Sequence, residues 1–502
     1  MAVTEPMGSG LGGGGFWLLH RASDDKEVMI DGRERAPLAA TANLYLDKKG
    51  EPIPQASLDG PLAAGIPGVP AALVYMARHY GRLPLAQSLA PAIEIARNGF
   101  PVYERFRKLA EFRQKVFQGS GAARVFLDHG KVPEVGYILK QPELAKTLQQ
   151  IATRGRDGFY RGPVADRMIG AVRKAGGIWT QKDLDEYRVV ERKPVTIHYH
   201  NSKIVSAALP SSGGIVLAET FNILEGLPLA RVSPLERKRL IIEAMRRGYN
   251  DRARFLGDPD YVSVNQVLLT SKAYATQRRK SIGKRATPSS SLPAPGSEAH
   301  PRGTDTTHFS IIDADGNRVS ATLSINYPFG CGFMPPGTGV VLNNEMDDFV
   351  VKPGVGNVYG LVGAHANQIA PGKRPLSSMS PSFVEKGDNV LVVGTPGGSR
   401  IISMVLLGSL EFLEGRGKPA DWVAMPRYHH QYIPDVVQYE DGAFDAIDRD
   451  TLEELGYHFK NVGRRYGNMQ VVLLNRRTGK LQAASDPRGE GLAAVREMRP
   501  QH

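Results

Sequence analysis

Strand-like and helix-like patterns alternate along the whole chain and predict a mixed α/β fold with sheets covered by helices. Three segments carry that expectation. His308-Phe309-Ser310-Ile311-Ile312, then Asp313-Ala314-Asp315-Gly316-Asn317, then Arg318-Val319-Ser320-Ala321-Thr322-Leu323-Ser324 reads as strand, tight turn, strand, with an Asp-Gly turn signal. Residues 84–98 place Leu85, Leu89, Ile93 and Ile95-Ala96 near one helix face, with Gly99 as a stop. The apolar run 389–394 ends in Thr395-Pro396-Gly397-Gly398-Ser399 and leads into a helical pattern over 401–413.

The remaining elements follow in chain order. Residues 1–71, rich in Gly and short apolar runs, read as strands with loops, and helical patterning begins at about Ala72. It continues over 141–154 and 164–175. Residues 194–208 alternate apolar and polar positions, with Val195, Ile197 and Tyr199 on one side and His198 and His200 on the other. Two such histidines lack a third ligand at a natural spacing, so solvent-facing strand histidines are the expectation rather than a metal pair. Residues 278–285 are basic, and 286–305 are crowded with Pro, Ser and Gly, an exposed mobile connector that runs abruptly into the 308–324 hairpin. No internal repeat is present.

The 502 residues suffice for a large core. Hydrophobic residues make up 41% and charged residues 23%, an ordinary globular composition. No apolar run of membrane-spanning length occurs. The net charge of +12 invites an anionic partner. Yet Arg246-Arg247 and Arg278-Arg279-Lys280 lie in helix-like stretches where a solvated face is expected, and no nucleic-acid-binding motif accompanies them. The single cysteine, Cys331, excludes an intramolecular disulfide, and its turn-like setting reads as a small buried hydrophobe. Met1 to Pro6 does not have the form of a signal peptide. The compartment therefore stays open: periplasmic or secreted if a signal lies upstream of the apparent start, cytoplasmic otherwise.

Gly8-Ser9-Gly10-Leu11-Gly12-Gly13 fits a dinucleotide-binding fingerprint, but Phe16-Trp17-Leu18-Leu19 after it reads as strand where a helix is required. Close backbone packing beside a pocket explains these glycines better than a nicotinamide site. Beyond the connector stand Thr306-Thr307-His308-Phe309-Ser310, Asn326, Leu342-Asn343-Asn344-Glu345-Met346-Asp347-Asp348-Phe349, Arg374-Pro375-Leu376-Ser377-Ser378-Met379-Ser380-Pro381 and Pro396-Gly397-Gly398-Ser399-Arg400. Before it stand Gly10-Leu11-Gly12-Gly13-Gly14-Gly15-Phe16, Arg33-Glu34-Arg35-Ala36-Pro37 and Pro210-Ser211-Ser212-Gly213-Gly214. This ordered set resembles the γ-glutamyltransferase family of N-terminal-nucleophile hydrolases over nearly the whole chain.

The resemblance implies a four-layer αββα sandwich that matures by cleaving Asp305–Thr306 into subunits 1–305 and 306–502, which stay together as a heterodimer. It implies Thr306 as nucleophile, Ser324 as its hydroxyl partner and Asn326 beside it. Gly397 and Gly398 become the oxyanion-hole amides. Arg33, Ser377 and Ser378 take the donor's α-carboxylate, Glu345 and Asp348 its α-ammonium, and Tyr359 shields the pocket on a lid loop within 352–374. Glutathione or another γ-glutamyl amide is the implied donor, water, an amino acid or a peptide the acceptor, and no cofactor or metal is implied. Arg427-Tyr428-His429-His430 is expected to be structural, and His308 is given no proton-transfer role. Relatives carry an opening helical segment ahead of the Glu-Pro and poly-glycine region, whereas this chain starts with Ala2-Val3-Thr4-Glu5-Pro6, suggesting a late start assignment or a truncation. The alternatives are a cephalosporin or glutaryl acylase of the same fold, or an uncleaved inactive scaffold. The chemistry has its own logic. A threonine hydroxyl needs a base, and a terminal α-amine with a reference pKa of about 7.7–8.0 supplies one on the same residue.

Overall fold

A computed structural model of the chain describes residues 1–293, 306–463 and 466–496. Two antiparallel sheets form its centre. The first runs in the order Val190–Arg192, Lys26–Asp31, Gly14–Arg21, Arg318–Ser324, Thr307–Ile312. The second runs Leu481–Ser485, Gln470–Asn475, Asn389–Gly394, Ser382–Lys386, Ser202–Ser206, Val195–Tyr199. Each sheet takes strands from both sides of the 294–305 segment, so neither half of the chain completes a sheet alone.

The two-residue period of the strands sorts side chains between two cores. Phe16, Leu18 and Met29 join the core that includes Val384, Leu391 and Val393 of the second sheet and the helices Gly213–Glu225, Pro234–Phe255 and Ile401–Leu413. Their neighbours Trp17, Leu19, Val28 and Ile30 face the other way, into a core shared with Val69–His79, Leu85–Asn98, Pro142–Arg154 and Pro163–Lys174. Alternate residues of one strand thus face a sheet on one side and helices on the other, giving the four-layer αββα sandwich.

Local expectations hold with three corrections. The 84–98 helix is observed as Leu85–Asn98, capped by Gly99 at φ 94°, although Ile95 is exposed while Leu89, Ile93 and Ala96 are buried. The alternation over 194–208 is two paired strands joined by a turn, with His200 at φ 47°. His198 and His200 are both exposed, and among the described residues no His, Cys, Asp and Glu group is arranged to hold a metal.

The connector begins later than its composition suggests. Ser289 is buried, donates from its backbone to Asp435 Oδ2 at 2.7 Å and from its hydroxyl to Tyr432 O at 2.6 Å, and Asn250 Nδ2 reaches Pro293 O at 2.7 Å. Residues 286–293 are therefore docked, and the rest of the connector, Asp305 included, lies outside the described residues. The third correction concerns charge. Arg246 and Arg247 are buried, not solvated, because Pro234–Phe255 is covered on nearly all sides. They pair with Asp435 and Glu243, while Arg278 Nη2 donates to Asn250 Oδ1 at 2.9 Å. Cys331 is fully buried, and burial pushes its thiol up to about 12.

Between the sheets, His308 fills space that Gly394 leaves empty. Its Nδ1 meets Thr322 Oγ1 at 2.8 Å and its Nε2 meets Ser310 Oγ at 3.0 Å. Burial holds it neutral, with a pKa lowered to about 3. A Cβ on residue 394 would stand 2.1 Å from His308 Cε1. Gly394→Ala should therefore destabilise the fold by about 1–3 kcal/mol, the usual cost of overpacking. Thermal unfolding checks it: the melting temperature should fall, and His308→Ala in the same chain should recover part of the loss. An unchanged melting temperature would contradict this packing.

Candidate active site

The hairpin register places Thr306. Thr307 pairs with Leu323, so one step back along the strand sets Thr306 opposite Ser324. The two hydroxyls lie 3.2 Å apart, both buried. Ser324 Oγ also accepts from Asn326 N at 2.8 Å, which fixes its position. Asn326 turns the chain at φ 73°, its Nδ2 donating to Asn344 O at 2.9 Å. The glycine loop lies against this corner: a Cβ on Gly13 would be 2.1 Å from Ser324 O, and one on Gly12 1.9 Å from Val341 O. Close approach, not dinucleotide binding, accounts for these glycines, and the Gly14–Arg21 strand follows them directly.

A cleft of about 290 Å³ opens here, mouth included, lined by Thr306, Ser324, Asn326, Arg33, Glu345, Asp348, Tyr359, Ser377, Ser378 and Gly398 among others. All the expected site residues within the described part meet at this cleft except Gly397, which sits one residue behind its wall.

Arg33 is buried with a tight set of carboxylates. Its Nη1 donates to Glu345 Oε2 at 2.7 Å, its Nη2 to Asp348 Oδ2 at 2.5 Å, and Glu34 Oε2 lies 3.5 Å away. Nε is held by Pro375 O at 3.1 Å. Burial opposes the guanidinium charge, but Glu345, Asp348 and Glu34 more than offset it, and the group stays protonated. The carboxyls respond oppositely: burial pushes Glu34 up to about 8 against the pull of Arg33, and burial likewise raises Glu345 well above the usual carboxylate range, against the pull of Arg33 and with help from Glu34 and Asp348. Among the described residues, Glu345 Oε1 is a buried acceptor without a hydrogen-bond partner.

Asn343 and Asn344 do more than form a turn. Asn343 Nδ2 bonds Gly12 O and Gly65 O at 2.7 and 2.8 Å, and Asn344 Nδ2 bonds Leu58 O at 2.9 Å. They pin the short Glu345–Asp348 helix against the first half of the chain.

Across the cleft, each serine hydroxyl accepts a bond from behind. Ser377 Oγ takes Met379 N at 3.1 Å, and Ser378 Oγ takes Arg252 Nη2 at 3.3 Å. Ser377 is itself hung on the 210–214 loop: its N donates to Pro210 O, and its carbonyl accepts from both Ser212 N and Ser212 Oγ at 2.7–2.8 Å. Gly397 at φ 145° and Gly398 at φ 58° form the turn between the Asn389–Gly394 strand and the Ile401–Leu413 helix. Among the described residues neither glycine amide donates to a protein acceptor. Any side chain on Gly398 would meet the Tyr359 ring at 2.5 Å.

Tyr359 is buried over the cleft, with its hydroxyl donating to Asn326 O at 2.5 Å. Sequence reasoning missed what holds this loop. Asp347 accepts from Val358 N at 2.9 Å, and Asn357 bridges Asp348 Oδ1 and the amides of Tyr359 and Leu361 at 3.0–3.1 Å. Gln431 Nε2 donates to Tyr359 O and Gly360 O at 3.1 and 3.0 Å, while its Oε1 accepts from Ser399 Oγ at 2.7 Å. The Asn357-x-Tyr359 turn has a local signal. Gln431, seventy-two residues away from Tyr359, has none. Arg427, His429 and His430 are buried in structural bonds: Arg427 with Val423 O at 2.8 Å, His429 with Ser403 at 2.7 Å, His430 with Asp435 at 3.1 Å.

The gamma-glutamyltranspeptidase family model matches residues 1–496. The chain is 43% identical over 466 residues to the glutathione hydrolase proenzyme of Pseudomonas sp. (strain A14), covering 91% of this chain and 80% of that one. It is 39% identical over 496 residues to the glutathione hydrolase proenzyme of Escherichia coli (strain K12), covering 97% and 84%. Among solved structures, cephalosporin acylase from Bacillus halodurans matches with a TM-score of 0.86 at 28% identity, covering 99% and 90%. A chain of Helicobacter pylori γ-glutamyltranspeptidase matches with a TM-score of 0.57 at 38% identity, covering 58% and 85%.

Gln431→Ala should free the loop at Tyr359 without disturbing the sheets. Amide hydrogen exchange across residues 354–364 should quicken about ten-fold or more, the effect of losing a net hydrogen bond or two. Exchange in Asn389–Gly394 should stay as it is. Equal acceleration in both segments would show a general loss of stability instead.

Proposed function

The chain belongs to the γ-glutamyltranspeptidase family, and from that premise we propose how its own residues carry out maturation and γ-glutamyl transfer. Members are acyl-transferring and glutathione-hydrolysing enzymes made as self-cleaving proenzymes, and this chain is one such enzyme. The observation that carries the residue assignment is the single cleft that joins Thr306 to a buried cluster of opposite charges.

In maturation, Thr306 Oγ1 attacks the carbonyl carbon of Asp305, and the acyl group moves from nitrogen to oxygen. That shift breaks the C–N bond and frees the Thr306 amine; water then cleaves the ester, releasing the Asp305 carboxylate and restoring the Thr306 hydroxyl. The products are subunits 1–305 and 306–502, which remain a heterodimer because both sheets need strands from each. The freed amine is the base for the second reaction: it takes the Thr306 hydroxyl proton as Oγ1 attacks the donor's γ-carbonyl. Ser324, 3.2 Å away, orients that hydroxyl. The negative charge on the tetrahedral oxygen falls to the Gly397 and Gly398 amides, which have no competing protein acceptor among the described residues. Collapse expels the donor's amine, which leaves with the proton held by the α-amine. Water or an amino-acid or peptide amine then attacks the γ-glutamyl ester by the same route.

The donor's head group fits the charge pattern. Its α-ammonium meets Asp348 and the unpartnered Oε1 of Glu345, and its α-carboxylate meets Arg33 and the forward-pointing hydroxyls of Ser377 and Ser378. An arriving ammonium favours the ionised form of Glu345, whose carboxyl burial otherwise pushes upward. The Tyr359 loop keeps bulk water from the ester. The acylase seen among the structural neighbours offers a second reading, a plain diacid donor, but such a donor has no cation for Glu345 and Asp348.

Donor choice tests the proposal. A γ-glutamyl anilide carries both head-group charges, whereas a glutaryl anilide lacks the ammonium. Losing one side of a buried charge-assisted contact costs about 2–5 kcal/mol, or roughly thirty-fold or more in kcat/KM. Glutaryl anilide should be poorer by that margin, and Asp348→Ala should narrow the gap. Equal turnover of the two anilides would favour the acylase reading.

A further inference from the structure

Arg252, near the end of the Pro234–Phe255 helix, is buried, and among the described residues both hydrogen bonds of its side chain go to neutral hydroxyls. Nε donates to Ser212 Oγ at 3.0 Å and Nη2 to Ser378 Oγ at 3.3 Å. Two arginines buried as deeply are neutralised at contact distance, Arg33 by Glu345 at 2.7 Å and Arg247 by Glu243 at 2.6 Å. A buried cation held only by hydroxyls is costly unless an anion arrives to meet it. Burial draws the Arg252 guanidinium down to about 10, with Asp348 pulling it back, so it remains charged at neutral pH. Asp348 and Arg252 border the same small cavity behind the cleft.

The direction of the hydrogen bonds gives the charge a task. Arg252 Nε–H donates to Ser212 Oγ, whose own proton goes to Ser377 O at 2.7 Å. The other arm of the guanidinium fills a lone pair of Ser378 Oγ. One arginine thus braces the backbone of Ser377 and orients the hydroxyl of Ser378, whose proton is left to point into the cleft. We propose that Arg252 is a positioning residue for the donor's α-carboxylate, aligning the two serines from behind and supplying a positive charge that no carboxylate among the described residues claims at contact distance. The inference rests on the reading of Ser377 and Ser378 as carboxylate ligands.

The discriminating substrate is 4-aminobutyryl anilide, which keeps the amine and the amide of γ-glutamyl anilide but has hydrogen in place of the α-carboxylate. Arg252→Gln should lower kcat/KM for γ-glutamyl anilide roughly ten-fold or more, chiefly through KM, the size expected for a lost charged hydrogen-bond network. It should leave 4-aminobutyryl anilide nearly unchanged, and Arg252→Lys, which keeps the charge, should recover part of the loss. If Arg252→Gln does not yield the two subunits, Arg252→Lys bears the test alone, with a narrower preference for γ-glutamyl anilide expected. An equal loss on both donors, or an undiminished preference, overturns the inference and leaves Arg252 as a brace of the fold. Should the wild-type enzyme itself treat both anilides alike, the carboxylate reading of the serines fails instead.

Discussion

The buried contact between Arg33 and the carboxylates of Glu345 and Asp348 is the constraint on which the site depends. It joins residue 33 to residues 345–348 across more than three hundred positions, and Pro375 O fixes the remaining Nε. A buried guanidinium deprived of its carboxylates, or the reverse, typically costs several kcal/mol. The cluster therefore holds only if every segment around it stays in register. Asn343 pins one side to Gly12 and Gly65, Tyr187 donates to Arg33 O at 2.8 Å, and Asp31 accepts from Arg33 N at 2.9 Å. In the proposed function, the same rigidity presents separated charges to a donor head group that carries both signs.

The placement of Thr306, the proposed nucleophile, follows from a different kind of constraint. Thr306 stands immediately before the edge strand Thr307–Ile312 of the first sheet, and the pairing of Thr307 with Leu323 brings the Ser324 hydroxyl to it. The space for that corner is made by missing side chains. Gly12 and Gly13 let the first half of the chain lie on Val341 and Ser324, and Gly394 admits the neutral ring of His308. Specificity in this site comes as much from backbone proximity as from polar groups.

Much of this was legible in the sequence, and the gaps have physical causes. The hairpin at 308–324 and the strand-turn-helix at 389–413 depend on local periodicity and turn residues, which a sequence displays directly. The motif residues Arg33, Thr306, Ser324, Asn326, Glu345, Asp348, Ser377 and Ser378, each singled out from the sequence, line one cleft. Periodicity could not show that distant segments cover Arg246 and Arg247, since amphipathicity describes one helix and not what packs on it. Nor could composition show that 286–293 is tied down through Ser289. Gln431 and Arg252 act through carbonyls and hydroxyls that only folding brings near, and neither has a spacing signature.

The account turns on Thr306 becoming a chain terminus, and intact-mass analysis of the purified protein measures that directly. Wild-type protein should give a fragment that begins at Thr306, together with its complement ending at Asp305, while Thr306→Ala should remain a single chain. A wild-type protein that stays full length and still turns over a γ-glutamyl anilide would contradict the account.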